Sequence, residues 1–358
     1  MTHLLDMKRN ILSLLLAAGV LLTLSVACHD PNVDPDPEEI VFTYGAYFLN
    51  AGATDNSELT QLNTLWATVN PSCFSLANKG KKLGEGGSDI HVFGQKMYVA
   101  LSGSRHVSVI NKNNCMELNT FSIRDDAGNV LTPSHLADFE GSLLVSLAEG
   151  YVARVDTVSF QVNVLQKIGE SGGCMAVANQ KLYVANPSAG SIQMLNPVDL
   201  HVMKDIAVQK KPRSFTVGSD KNLYCVAGWP ETALFQIVSD TDAVVEVTSV
   251  QQPQIAAAGP DKSLIVYSLS NADETGGKYY VVNLESMKVE GEFIRDGSYV
   301  LDPTGVFIDL NTGNVYISQD GTPGDFGVIY IYTSYGQFLS SFNTGNARTV
   351  GAVFITGK

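Results

Sequence analysis

Residues 181–196 read KLYVANPSAGSIQMLN, a strand phrase, a small-residue turn and a second strand that stops at Asn196. The opening phrase returns as AYFLNA at Ala46, KMYVAL at Lys96, SLLVSL at Ser142, NLYCVA at Asn222, SLIVYS at Ser263 and NVYISQ at Asn314. A strand unit recurring every 40 to 50 residues or so is the mark of a radial repeat, in which no single unit buries its own faces. The reading is therefore an all-β chain folded as a seven-bladed β-propeller.

Aligned on the phrase, one apolar slot holds Phe48, Tyr98, Leu144, Tyr183, Tyr224, Ile265 and Tyr316, and the next holds Leu49, Val99, Val145, Val184, Cys225, Val266 and Ile317. Consecutive bulky residues suit a strand packed on both faces, as in a blade between two neighbours. A candidate innermost strand precedes six of the phrases: SDIHVFG from Ser88, SHLADFE from Ser134, GCMAVAN from Gly173, RSFTVGS from Arg213, QIAAAGP from Gln254 and TGVFIDL from Thr304. The first phrase has none. VGAVFITG from Val350 has the missing pattern, so the C-terminal strand is expected to pair beside Ala46 and close the ring, removing two sheet edges. Third strands are legible too, and five end in Asn or Asp (Asn63, Asn111, Asp156, Asn196, Asn283), residues that lead readily into turns.

The 358 residues carry a formal net charge of −13, with 32 Gly and 13 Pro, which fits one large turn-rich β domain. Such acidity, without a basic stripe, argues against nucleic acid as a partner. Residues 1–27 are read as a lipoprotein signal: Lys8 and Arg9, an apolar run from Ile11 to Leu24, then small residues up to Cys28 as the lipidation site. Ser25 stands where such signals usually carry Leu, and an ordinary cleaved signal or a retained anchor are the other readings. Residues 28–40 form an acidic, Pro-rich tether that cannot build a core, and residues 41–358 the propeller.

No catalytic motif, metal-ligand spacing or cofactor fingerprint is present, so no metal and no cofactor are expected and the protein is read as a non-enzyme. His91, in an innermost strand, reads as a satisfied structural histidine. Cys174 and Cys225 read as small buried hydrophobes. Cys73 and Cys115 are taken to begin equivalent outer strands of neighbouring blades; a bridge between them is open, but free thiols are preferred. What the fold offers is a loop face, where the connections from second to third strands and those entering each innermost strand emerge together. Variable loops on a rigid scaffold are the usual place for binding residues. Arg105, His106, Trp229, Tyr299, Asp320, Asp325 and Phe326 are the candidate ligand-binding residues, with His135, Lys211 and Arg213 nearby in the repeat frame.

The phrase-turn-strand pattern of KLYVANPSAGSIQMLN resembles the YncE-like or surface-layer-type seven-bladed propellers, over roughly Val41 to the C-terminus. With the lipobox and acidic tether, the whole chain is similar to propeller lipoproteins of Bacteroidales, among them surface proteins that capture cobalamin for a TonB-dependent transporter. That resemblance implies a lipid-anchored outer-membrane protein facing the cell exterior, binding a small molecule such as a corrinoid on its loop face and sitting over its transporter. Two other classes stay open: an interaction or adhesion scaffold, and a propeller hydrolase or lactonase. The hydrolase reading needs carboxylates converging from several innermost strands, and the sequence offers Asp138 and Asp309.

Overall fold

The protein is described from a computed structural model covering residues 41–51, 56–273, 276–321 and 325–357. The signal, Cys28 and the tether lie outside the described residues.

Seven four-stranded antiparallel sheets make seven blades. From the innermost strand outward, blade 1 consists of Thr349–Gly357, Phe42–Asn50, Glu58–Asn63 and Thr68–Asn70. Blade 2 runs Gly87–Phe93, Lys96–Leu101, His106–Asn111 and Glu117–Phe121; blade 3 runs Pro133–Phe139, Ser142–Leu147, Tyr151–Asp156 and Val162–Lys167. Blade 4 runs Met175–Ala178, Lys181–Asn186, Ser191–Leu195 and Val202–Ala207; blade 5 runs Pro212–Val217, Leu223–Ala227, Ala233–Val238 and Ala243–Glu246. Blade 6 runs Pro253–Ala258, Ser263–Asp273, Gly276–Asn283 and Lys288–Glu292; blade 7 runs Pro303–Ile308, Val315–Gln319, Val328–Tyr332 and Phe338–Asn343. The innermost strands neighbour one another in this order, and that of blade 7 returns to that of blade 1. The chain is a closed seven-bladed β-propeller.

Burial follows radial position. In Lys181–Asn186 every residue after the first is buried, because flanking strands cover both edges and neighbouring blades both faces. The outermost strand Lys288–Glu292 alternates exposed and half-buried residues instead. The buried side chains fall into seven clusters, one in each seam between successive blades. Tyr98, Leu144, Tyr183, Tyr224 and Ile265 point forward into the next seam, and Val99, Val145, Val184, Cys225 and Val266 back into the previous one. Each such side chain contributes about 1.5–3 kcal/mol by leaving water.

Blade 1 departs from the sequence alignment by one residue. Tyr47 faces the forward seam with blade 2 and Phe48 the backward seam with blade 7, so the slots belong to Tyr47 and Phe48 rather than Phe48 and Leu49. A hydrogen bond marks the true equivalence: Gln61 Nε2 donates to Tyr47 Oη (3.1 Å) as Gln236 Nε2 donates to Tyr224 Oη (3.0 Å). A one-residue slip exchanges every side chain between faces, and an unbroken apolar run such as AYFL hides it.

All five Asn and Asp residues at third-strand ends build the turn that follows. Their side-chain oxygens accept the backbone N–H two residues on: Leu65 to Asn63 (3.0 Å), Asn113 to Asn111 (2.9 Å), Val158 to Asp156 (3.0 Å), Val198 to Asn196 (2.8 Å) and Glu285 to Asn283 (2.9 Å). The Leu269–Lys278 segment, read as a loop, largely extends the hairpin of blade 6, with Asp273 opposite Gly276.

Closure joins the two ends of the domain. Thr349–Gly357 pairs antiparallel with Phe42–Asn50, with Phe42 opposite Gly357 and Asn50 opposite Thr349. A buried polar chain fastens this pairing: Thr349 Oγ1 donates to Asn50 Oδ1 (2.8 Å), Asn50 Nδ2 to Thr60 Oγ1 (2.8 Å), and Thr60 Oγ1 to the Thr344 carbonyl (2.7 Å). Beside it, Phe48 packs against Phe307, Tyr316 and Phe342 at centroid distances of 6.5, 5.8 and 5.5 Å. Ending the chain at Arg348 is expected to abolish cooperative thermal unfolding, since it bares an edge of Phe42–Asn50 and uncovers the innermost strands of blades 7 and 2 that flank Thr349–Gly357. Replacing Asn50→Leu leaves two buried hydroxyls short of a partner, which costs about 2–5 kcal/mol in chemical denaturation; a loss below about 0.5 kcal/mol would show that the polar chain does not hold the closure.

Candidate functional site

Strand direction alternates within each blade, so the connections from second to third strands and those entering innermost strands share one face. On it, between blades 4 and 5, lies a groove of about 780 Å³. Pro187–Gly190 form one wall, Gln209–Arg213 the floor, and Gly228–Glu231 the other wall. Gly228 has φ +93°, and its N–H donates to the Lys211 carbonyl (2.8 Å); a Cβ there would stand 2.2 Å from the Glu231 carbonyl oxygen. That tight turn presents Trp229, 72% exposed, to solvent. The Arg213 guanidinium stacks 5.3 Å from the indole centroid, and Lys210 Nζ donates to the Glu231 carbonyl at 3.2 Å. Lys210, Lys211 and Arg213 thus gather three cations beside an indole in a chain of net charge −13. The arrangement suits a planar or amphipathic ligand bearing anionic or carbonyl groups.

Arg213 also borders the central channel, a space of about 570 Å³ walled by the innermost strands of blades 5, 6, 7 and 1. Phe215, Ile255, Phe307 and Phe354 share that side with the polar Ser214, Thr216, Gln254 and Thr304. Blades 2 and 3 supply polar groups: His91 Nε2 lies 2.8 Å from Asp138 Oδ1, and Asp89 accepts the N–H groups of Ile90 and Leu136, each at 2.8 Å. Asp89 is half-buried, and loss of water around it raises its carboxyl above the ordinary value despite the opposing pull of His135 and His91. Among the described residues no group of three or more His, Cys, Asp or Glu side chains is placed to hold a metal ion.

The residues singled out in the sequence share a face but not a single centre. Trp229 lies in the groove with Lys211 and Arg213. Tyr299 lies in a separate recess of blade 6, its hydroxyl donating to the Gly277 carbonyl at 3.3 Å. Asp320 lies on blade 7, with Oδ2 3.9 Å from Arg348 Nε; partial burial raises its carboxyl even so. Phe326 and Asp325 follow in the same connection, both exposed. Arg105, exposed at φ +53°, and His106, whose Nδ1 is 3.3 Å from the Ser104 carbonyl, turn the hairpin of blade 2. His135 Nδ1 contacts Ser134 Oγ at 3.0 Å. His91 is hydrogen-bonded, as its sequence reading supposed. Asp309 is 2% exposed and fastens a turn, accepting from Thr43 Oγ1 (3.0 Å) and Thr312 Oγ1 (2.7 Å), so it does not join Asp138 in the channel. Lys210 and Asp89 were missed. The KK pair before Pro212 signalled the first, and the polar alternation in SDIH the second.

A closed ring of seven four-stranded blades defines the chain as a seven-bladed β-propeller. The chain belongs to the family described as a domain of unknown function (DUF5074), whose model matches residues 44–261, from blade 1 into blade 6. No protein of curated function matches it. It is similar in structure to a quinonprotein alcohol dehydrogenase-like protein from Bacteroides thetaiotaomicron (TM-score 0.65, 16% identity, covering 88% of this chain and 79% of that one). A proposed 6-phosphogluconolactonase from Bacteroides uniformis gives a TM-score of 0.62 at 12% identity, covering 87% and 99%. Hydrazine synthase from Kuenenia stuttgartiensis gives 0.57 at 16% identity, covering 70% and 77%. At these identities the likeness is one of fold.

The connection carrying Tyr299 is anchored by Asp296, whose carboxylate accepts from Ser298 N (2.9 Å), Ser298 Oγ (2.6 Å) and Phe338 N (2.6 Å). These bonds, the Ser298 hydroxyl foremost, hold its carboxyl down at about 2. A depressed carboxyl gives stability that is fully present above its unfolded value near 4 and is lost as pH falls through about 2. Asp296→Ala is therefore expected to lower the melting temperature at pH 7, and the gap from the parent protein should close between pH 4 and 2. A gap independent of pH would assign the effect to packing.

Proposed function

We propose that the protein is an exported, lipid-anchored propeller that captures a large amphipathic small molecule on its loop face, a corrinoid being the leading candidate, for delivery to a TonB-dependent outer-membrane transporter. The observation that carries this reading is the groove in which Trp229 and Arg213 stack beside Lys210 and Lys211, running at Arg213 into a channel lined by both aromatic and polar side chains. A corrinoid is a flat ring rimmed by amides: the indole matches its face, and the cations and loop amides match its carbonyl oxygens. Loops fixed on a closed ring lose little entropy on binding. The lipobox at Cys28 and the acidic tether support the address at the cell surface, and the resemblance of the repeat to cobalamin-capturing propellers supports the ligand class.

Calorimetric titration with cyanocobalamin tests the proposal. Saturable binding is expected, weakened at least about 30-fold by Trp229→Ala, the size of an interface hot spot. No heat and no thermal shift at saturating cyanocobalamin would overturn the corrinoid reading. Co-purification of an outer-membrane protein that survives loss of small-molecule binding would favour the interaction scaffold instead.

A further inference from the structure

In the seam between blades 1 and 2, Cys73 Sγ and Cys115 Sγ stand 2.7 Å apart, inside the non-bonded contact distance of two sulfur atoms. Neither cysteine begins a strand: Cys73 opens a five-residue helix, α1 (Cys73–Ala77), in the connection from blade 1 to blade 2, and Cys115 closes the turn before the outermost strand of blade 2. Both are buried, at 2% and 3% exposure, beside Phe74, Leu83, Met97 and Ile110.

Both backbones are held in place without help from the sulfurs. Asn78 Nδ2 donates to the carbonyls of Phe74 (2.8 Å) and Cys115 (3.0 Å), while its Oδ1 accepts the Glu117 N–H (2.9 Å). The buried Glu58 carboxylate accepts the N–H groups of Phe74 (3.0 Å) and Ser75 (3.3 Å). An ion pair from Lys81 to Glu117 spans the same two segments. Cys115, at φ +61°, occupies the left-handed position that Phe160, Leu200 and Met287 occupy in the corresponding turns of blades 3, 4 and 6, so the repeat itself aims its side chain at the seam.

We propose that Cys73 and Cys115 form a structural disulfide that staples blade 1 to blade 2. Two thiols become one S–S bond; their two electrons and two protons pass by thiol–disulfide exchange to an external protein disulfide, which leaves as a dithiol. Burial, followed by contact with Cys115 and Glu58, pushes the Cys73 thiol well up in the folded chain, so the attacking thiolate is available only before the seam closes. The exchange therefore accompanies folding. Cys225, in the seam between blades 4 and 5, and the buried Cys174 stay out of it.

The full chain, produced in a bacterial host whose cytoplasm and envelope both oxidise thiols, is acid-quenched, alkylated with N-ethylmaleimide under denaturing conditions and mapped without reduction by mass spectrometry. The expected product is a linked pair of peptides containing Cys73 and Cys115, separable by reductant, with Cys174 and Cys225 alkylated. The doubly substituted Cys73→Ala, Cys115→Ala protein is expected to melt about 5 °C lower or more, as befits a cross-link closing a loop of this length. Recovery of Cys73 and Cys115 as alkylated thiols from folded protein, or a link from either one to a different cysteine, overturns the proposal.

Discussion

The pairing of Thr349–Gly357 with Phe42–Asn50 is the constraint on which the molecule rests. Each blade exposes apolar residues on both faces, so an open arc of seven would leave two such faces and two sheet edges in water. Closure covers them all at once. The chain makes that last seam with its most distant partners in sequence, and loop-closure entropy opposes such contacts. What offsets it is concentrated there: the five aromatic rings of Phe48, Phe307, Tyr316, Phe342 and Phe354, and the buried polar chain through Asn50. Thr43 adds a further tie, donating to Asp309 of blade 7 at 3.0 Å.

Elsewhere the seams are held by repetition. The same slot supplies a forward-pointing side chain and its neighbour a backward-pointing one, so each blade is half of two cores. The chemistry of a slot is freer than its size. Tyr47 and Tyr224 find a glutamine across the sheet, whereas Val109 and Met194 face Tyr98 and Tyr183, whose buried hydroxyls have no partner among the described residues. A phenol fills the seam in either case.

Much of the fold was legible because its determinants are local and periodic. Third strands such as His106–Asn111 and Tyr151–Asp156 are bounded as their apolar runs and terminal Asn or Asp indicate, and the C-terminal strand lies where the first blade lacked one. The slip at Tyr47 went unseen because in a strand buried on both faces no polar alternation marks the register. The short helix at Cys73 was read as strand because five residues carry too little periodicity to separate the two. The site was legible only in fragments. Trp229, Lys211 and Arg213 were each visible as loop residues, but their meeting depends on where the connection entering blade 5 passes the hairpin of the same blade, which no local pattern encodes. Tyr299 and Phe326 show the reverse: similar chemistry on the same face, held by different blades in different recesses.

The separation between fold and site has a physical consequence. Residues of the repeat slots are fully buried and answer to volume and shape, so change there is paid in stability. Trp229, Lys210, Lys211 and Arg213 belong to no slot; Trp229 hangs on a turn set by Gly228, and the Gly228 to Lys211 backbone bond ties that turn to the segment carrying the three cations. Their charge also opposes that of the body, and cations clustered in a concave, partly apolar place attract anionic and carbonyl groups more strongly than the same cations scattered over a flat surface. The groove residues can therefore change without touching what closes the ring. In this chain the groove and the channel meet at one residue, Arg213, which belongs to an innermost strand and lines both.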